Sequence, residues 1–103
     1  MYANTDDIRN LILRYPDTLV VVDCFAQWCG PCKKISPEVE RLEQEYNRQI
    51  IVRKIDVDEN DDFAQIAQVS AMPTFIFYKN NKEVKRVIGA NMEAVHNAIR
   101  ENL

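Results

Sequence analysis

The chain predicts an α/β fold, with helices on both faces of a mixed sheet of four to five strands in a three-layer sandwich. Strand-like and helix-like patterns alternate along it, which implies crossover helices between parallel strands. The run Leu19–Phe25 is almost wholly apolar and rich in β-branched residues, as a central strand covered on both sides requires. The turn Lys79-Asn80-Asn81-Lys82 separates two further strand-like runs, which adds an antiparallel hairpin.

Taken in order, residues 1–4 offer at most a very short edge strand. Asn4 or Thr5 caps a first helix, with Asp6 and Asp7 in its first turn. Ile8, Leu11 and Ile12 supply its apolar face, and Pro16-Asp17 ends it. After the central strand, a second helix starts near Gly30 or Pro31 and carries Ile35, Val39, Leu42 and Tyr46 on one side. Pro31 suits a first helical turn. Pro37 lies deeper and removes a ladder bond, so a kink is predicted there. Ile50–Val57 is the next strand, interrupted by Arg53 and Lys54. Asn60 is predicted to cap a short helix whose inner face is Phe63, Ile66 and Ala67. Thr74–Tyr78 is a second two-sided apolar strand. Glu83–Ile88 pairs with it as a charged, exposed edge. Asn91 caps a last helix with Val95, Ala98, Ile99 and Asn102 or Leu103 inward.

Composition narrows the function. A chain of 103 residues implies one domain. A net charge of −3 with scattered basic residues gives no footprint for nucleic acid. No apolar run approaches membrane-spanning length, and no signal peptide is expected. Asp56, Asp58, Glu59, Asp61 and Asp62 read as a solvated, helix-capping turn, because acids suit a helix N-terminus. The alternation, central Gly and closing Glu of a calcium loop are absent. Three cysteines are too few for a disulfide scaffold, so the expected compartment is a reducing one such as the cytosol. There a close cysteine pair is catalytic or metal-binding.

The chemistry concentrates at Phe25-Ala26-Gln27-Trp28-Cys29-Gly30-Pro31-Cys32-Lys33, where a buried strand ends and a helix begins. A helix N-terminus presents free N–H groups and partial positive charge. That field favours thiolate at the first cysteine, and thiolate is the reactive form. Cysteines at i and i+3 lie close enough to bridge. The second lies a turn deeper and stays protonated until a base reaches it. Asp23 is the sole acid inside the apolar strand, and burial raises a carboxyl's pKa into a range that suits proton transfer. The plain alternative is a structural acid bonded to backbone or to Lys54. Pro73 reads as a strand-starting proline, and Trp28 as a core aromatic or a half-exposed lid.

At Trp28-Cys29-Gly30-Pro31-Cys32-Lys33 the chain resembles the thioredoxin family. The resemblance runs nearly end to end. Val22-Asp23 precedes the pair; Lys54, Asp56-Val57-Asp58, Met72-Pro73-Thr74-Phe75 and Gly89-Ala90-Asn91 follow it. It implies a thioredoxin-like fold and a protein-disulfide reductase, with Cys29 the attacking thiolate and Cys32 the resolving thiol. Asp23 and Lys54 would be the buried pair that moves protons at Cys32. Pro73 would be a cis proline facing the cysteines. Trp28, Gly30, Pro31, Met72, Gly89 and Ala90 would form the surface that receives protein substrates. The resemblance also implies recharging by a thioredoxin reductase using NADPH and no bound cofactor; no metal and a monomer are expected.

Cys24 stands where the family usually has an aromatic or apolar residue; alternation puts it on the face opposite Asp23, as a small buried hydrophobe or, less simply, a regulatory thiol. Asn81 replaces the usual hairpin glycine, and the short N-terminus reduces the first strand. His96, the one histidine, lies far from the pair. Two other functions compete. One C-x-x-C and one distant histidine cannot close a zinc site within one chain, although a dimer could share a zinc or an iron–sulfur cluster. A non-catalytic docking module could use the same apolar surface.

Overall fold

The computed structural model describes residues 2–103. The elements are α1 (Thr5–Arg14), β1 (Leu19–Phe25), α2 (Gly30–Glu40), α3 (Leu42–Glu45), β2 (Ile50–Asp56), α4 (Asp61–Ile66), β3 (Thr74–Lys79), β4 (Lys82–Ile88) and α5 (Met92–Asn102). The sheet has four strands in the order β2-β1-β3-β4. β1 runs parallel to β2 and antiparallel to β3, and β3 and β4 form the hairpin. Tyr2 contributes a single bridge to Lys54 in place of a leading strand. Met1 lies outside the described residues.

Every side chain of β1 is buried, because helices cover both faces. Val20, Val22 and Cys24 point into a core with Ile8 of α1 and Phe63 of α4. Leu19 and Val21 point the other way, into a core with Val39 of α2, Leu42 of α3 and Val95, Ala98 and Ile99 of α5. Alternation along the strand therefore places Asp23 on the α2 side and Cys24 on the α1 side. Asn4 caps α1 with its side chain and Asp7 reciprocates, a full capping box. Asn80 and Asn81 both take left-handed φ, 56° and 64°, as the tight hairpin demands.

Two local expectations fail and two hold in part. The second helix is interrupted at Arg41 rather than kinked at Pro37. Arg41 N–H donates to the Glu38 carbonyl, a tighter i−3 bond one turn after the proline, and α3 starts afresh. Ile66 is 74% exposed, not inward, because the face that packs on the core runs through Phe63, Ala64 and Ala67. Asn60 takes the N-cap position of α4 and its carbonyl accepts the Ala64 N–H, but its side chain makes no cap bond; it accepts from Thr5 N–H and donates to the Asp56 carbonyl. Of the two inward candidates at the end of α5, Asn102 is the half-buried one and folds back to donate to the Ala98 carbonyl, while Leu103 lies outside.

Candidate active site

The end of β1 and the start of α2 bring the cysteines together. Cys29 and Cys32 form a disulfide, with 5.3 Å between their Cα atoms. Cys29 is the N-cap of α2, and its sulfur accepts the Cys32 backbone N–H at 3.2 Å. The first turn of α2 holds no acid to oppose negative charge on that sulfur. The same N–H and the helix dipole would therefore stabilise a thiolate once the pair is reduced. In this disulfide form the expected contrast in exposure is absent: Cys29 is 3% and Cys32 6% exposed. Both belong to a buried cluster with Phe25, Ala26 and Cys24 at the end of β1.

Asp23 is 2% exposed, and its Oδ1 has no hydrogen-bond partner. Burial pushes its carboxyl up to about 7, against the opposing pull of the Lys54 cation. Lys54 pairs in register with Asp23 across β1 and β2. No hydrogen bond or salt bridge joins the two side chains. The Lys54 Nζ instead donates to Ser36 Oγ at 2.6 Å, lies 3.9 Å from Glu40 Oε2, and sits over the Tyr2 and Phe25 rings. A cleft of about 280 Å³ beside Cys32 is walled by Tyr2, Gln27, Lys33, Ser36 and Lys54, among others.

The opposite rim comes from two loops. The Met72–Pro73 peptide is cis. Met72 packs half-buried against the core that holds both cysteines. The Gly89 N–H donates to the Pro73 carbonyl at 2.8 Å and fixes the end of β4 to this loop. Gly89 does so at φ 102°, which disfavours a side chain. Gly30, Pro31 and Ala90 are exposed. Trp28 is 67% exposed, more open than a half-covered lid, and its indole N–H donates to Asp58 Oδ2 at 2.9 Å.

Several of these partners were hidden in the sequence. Asp58 read as one of a solvated acidic run, yet it orients Trp28. Asp56, from the same run, is buried; it accepts from Gln27 Nε2 and from the Asp58 N–H. Ser36 and Glu40 carried only an i, i+4 spacing, which puts them on one helical face. Cys24 is free and fully buried, and burial, reinforced by Asp23, pushes its thiol far up. His96 stays remote, bonded to Tyr46 Oη and near Glu38. Among the described residues no cluster of His, Cys, Asp and Glu is placed to hold a metal.

The chain is 55% identical over 87 residues to Thioredoxin-2 of Saccharomyces cerevisiae, covering 84% of this chain and 83% of that protein. It is 44% identical to Thioredoxin-1 of Schizosaccharomyces pombe, over 98% of this chain and 95% of that one. Among solved structures, Fasciola hepatica thioredoxin superposes with a TM-score of 0.93 at 44% identity, covering 98% and 96%. Schistosoma mansoni thioredoxin gives 0.94 at 38% identity, covering 100% and 94%. The thioredoxin family model matches residues 2–101, all but the ends of the chain. A disulfide held at the start of a helix, on a fold shared with these proteins, leaves one conclusion: the chain belongs to the thioredoxin family.

Proposed function

We propose that this thiol–disulfide oxidoreductase works as a single domain that reduces protein disulfides, with Cys29 attacking and Cys32 resolving. The observation that carries the assignment is the Cys29 sulfur at the helix N-cap, accepting a backbone N–H and bonded to Cys32. In the reduced protein the Cys29 thiolate attacks one sulfur of a substrate disulfide. A Cys29–substrate bond forms, the substrate bond breaks, and the other substrate sulfur leaves as a thiolate that takes up a proton. Cys32 then gives its proton to ionised Asp23 and attacks the Cys29 sulfur. The Cys29–Cys32 bond forms and the second substrate thiolate departs. Two electrons have passed to the substrate, and the protein is left in the disulfide form seen here.

A carboxyl raised to about 7 suits this step, because near neutrality it both accepts and releases a proton. The exposed Trp28, Gly30, Pro31 and Ala90, with Met72 and Gly89 behind them, form a low-charge surface around the pair. An extended peptide of the substrate docks there, beside the backbone at Met72 and Pro73. Family membership supports recharging by a thioredoxin reductase drawing on NADPH, with no cofactor held by the chain itself. The sparse cysteines support work in a reducing compartment such as the cytosol. No helix is long and apolar enough to cross a membrane.

An NADPH-coupled disulfide-reduction assay tests the activity. Cys29→Ser abolishes turnover, whereas a pure docking role would survive that change. Cys32→Ser accumulates mixed disulfides through Cys29, read by mass spectrometry of captured peptides. Capture through Cys32 in the Cys29→Ser protein, with none through Cys29 in the reciprocal variant, would reverse the two roles.

A further inference from the structure

The buried acid and its neighbouring lysine are arranged unexpectedly. Asp23 and Lys54 share a register position on adjacent strands and face the same side of the sheet. Yet Asp23 Oδ1 is unpartnered while the lysine spends its hydrogen bond elsewhere. Ser36 Oγ accepts from Lys54 Nζ at 2.6 Å and donates its own proton to Glu40 Oε2 at 2.9 Å. A serine hydroxyl has one proton and two lone pairs. Donation to a carboxylate fixes the proton on one side and turns a lone pair towards the ammonium. Glu40 adds attraction of its own at 3.9 Å.

We propose that Ser36 and Glu40 are positioning residues that hold the Lys54 ammonium away from Asp23, and so set the pH at which Asp23 exchanges its proton. The proposal rests on the reading of Asp23 as the proton carrier for Cys32. Without the serine–glutamate anchor, the lysine is free to turn to the unpartnered carboxyl beside it in register, Asp23. A contacting cation would keep the carboxylate ionised and make it a weaker base.

The surroundings leave few other agents. On the same face, β2 supplies Lys54 and Asp56, and Asp56 is occupied by Gln27 and the Asp58 N–H. From α2 come Cys32, Ser36 and Glu40, and in the disulfide form the sulfur does not titrate. β3 sets uncharged Phe75 beside Asp23, and the packed residues of α3 and α5 on this face, Leu42, Val95, Ala98 and Ile99, are apolar. Cys24 faces the other side.

The test is a carboxyl-carbon NMR titration of Asp23 in the disulfide form. Ser36→Ala combined with Glu40→Gln should move its midpoint to lower pH by about ten-fold in proton concentration, the low end for a contacting cation. Ser36→Thr keeps the hydroxyl and should titrate as the unmodified protein does. On a Lys54→Met background the same pair of changes should move the midpoint by less than about two-fold, because half-exposed Glu40 alone is screened. A midpoint that stays put in the Ser36→Ala, Glu40→Gln protein, or that moves equally without Lys54, overturns the proposal. The pH profile of disulfide exchange separates the two readings. If the Asp23 midpoint moves and the acid limb of the profile does not, the positioning stands and Asp23 is not the proton carrier.

Discussion

Replacing Asp23 with alanine should stabilise the protein, and by an amount that depends on pH. Burial raises the folded-state pKa from 3.8 to about 7, so the carboxyl is harder to ionise in the native state than in the unfolded chain. This is the reverse of a salt-bridged acid. The stability it permits is greatest below 3.8, declines as pH rises towards 7, and levels off above. At about 1.4 kcal/mol per pH unit, the full interval corresponds to about 4 kcal/mol. At pH 7.5 nearly all of that penalty applies; at pH 5 it is about 1.5 kcal/mol. Removing the side chain also leaves a small cavity, at a cost of about 1–2 kcal/mol. The net change is about zero at pH 5 and a gain of about 2–3 kcal/mol at pH 7.5. Urea unfolding of the disulfide forms, with midpoint and slope fitted separately, measures both values. An equal gain at the two pH values, or a loss at pH 7.5, would refute desolvation as the dominant effect on Asp23.

Two further outcomes are expected. Gly89→Ala should destabilise by about 1–2 kcal/mol, because φ is 102° there although nothing crowds the added carbon; Gly30→Ala, equally uncrowded but helical, serves as the control and should lose nothing. Iodoacetamide on the reduced, folded protein should label Cys24 at least about a hundred-fold more slowly than Cys29, because a fully buried thiol reacts only when the fold opens. Prompt labelling of Cys24 would contradict its place in the core.

Much of the fold was legible because most elements carry their own signals. Seven buried residues in Leu19–Phe25 left no solvent face to that strand, and only a covered sheet accommodates this. The Asn4 capping box and the paired asparagines of the hairpin are local chemistry, complete within a few residues. Helix α4 was misread at Ile66 for the converse reason. Six residues give too few turns for periodicity to distinguish an inner face from an outer one. Likewise Pro37 signalled a disturbance, but its position relative to the break at Arg41 depends on how α2 and α3 pack over the sheet.

The amino-acid sequence by itself determined the cysteine pair, its place at a strand-to-helix junction, and the acid in the strand beneath. Spacing and apolar pattern encode such features directly. That Pro73 is cis came from family resemblance, since nothing local to Met72–Pro73 distinguishes the isomer. Only the tertiary structure decided which groups those residues bond. Asp58 lies thirty residues from the indole it holds, and Lys54 eighteen from the serine it bonds. A side chain's partner is whichever polar group the packed fold brings within about 3 Å. No local pattern records that choice, and at this site it leaves a buried carboxyl oxygen without a partner beside a lysine bonded elsewhere.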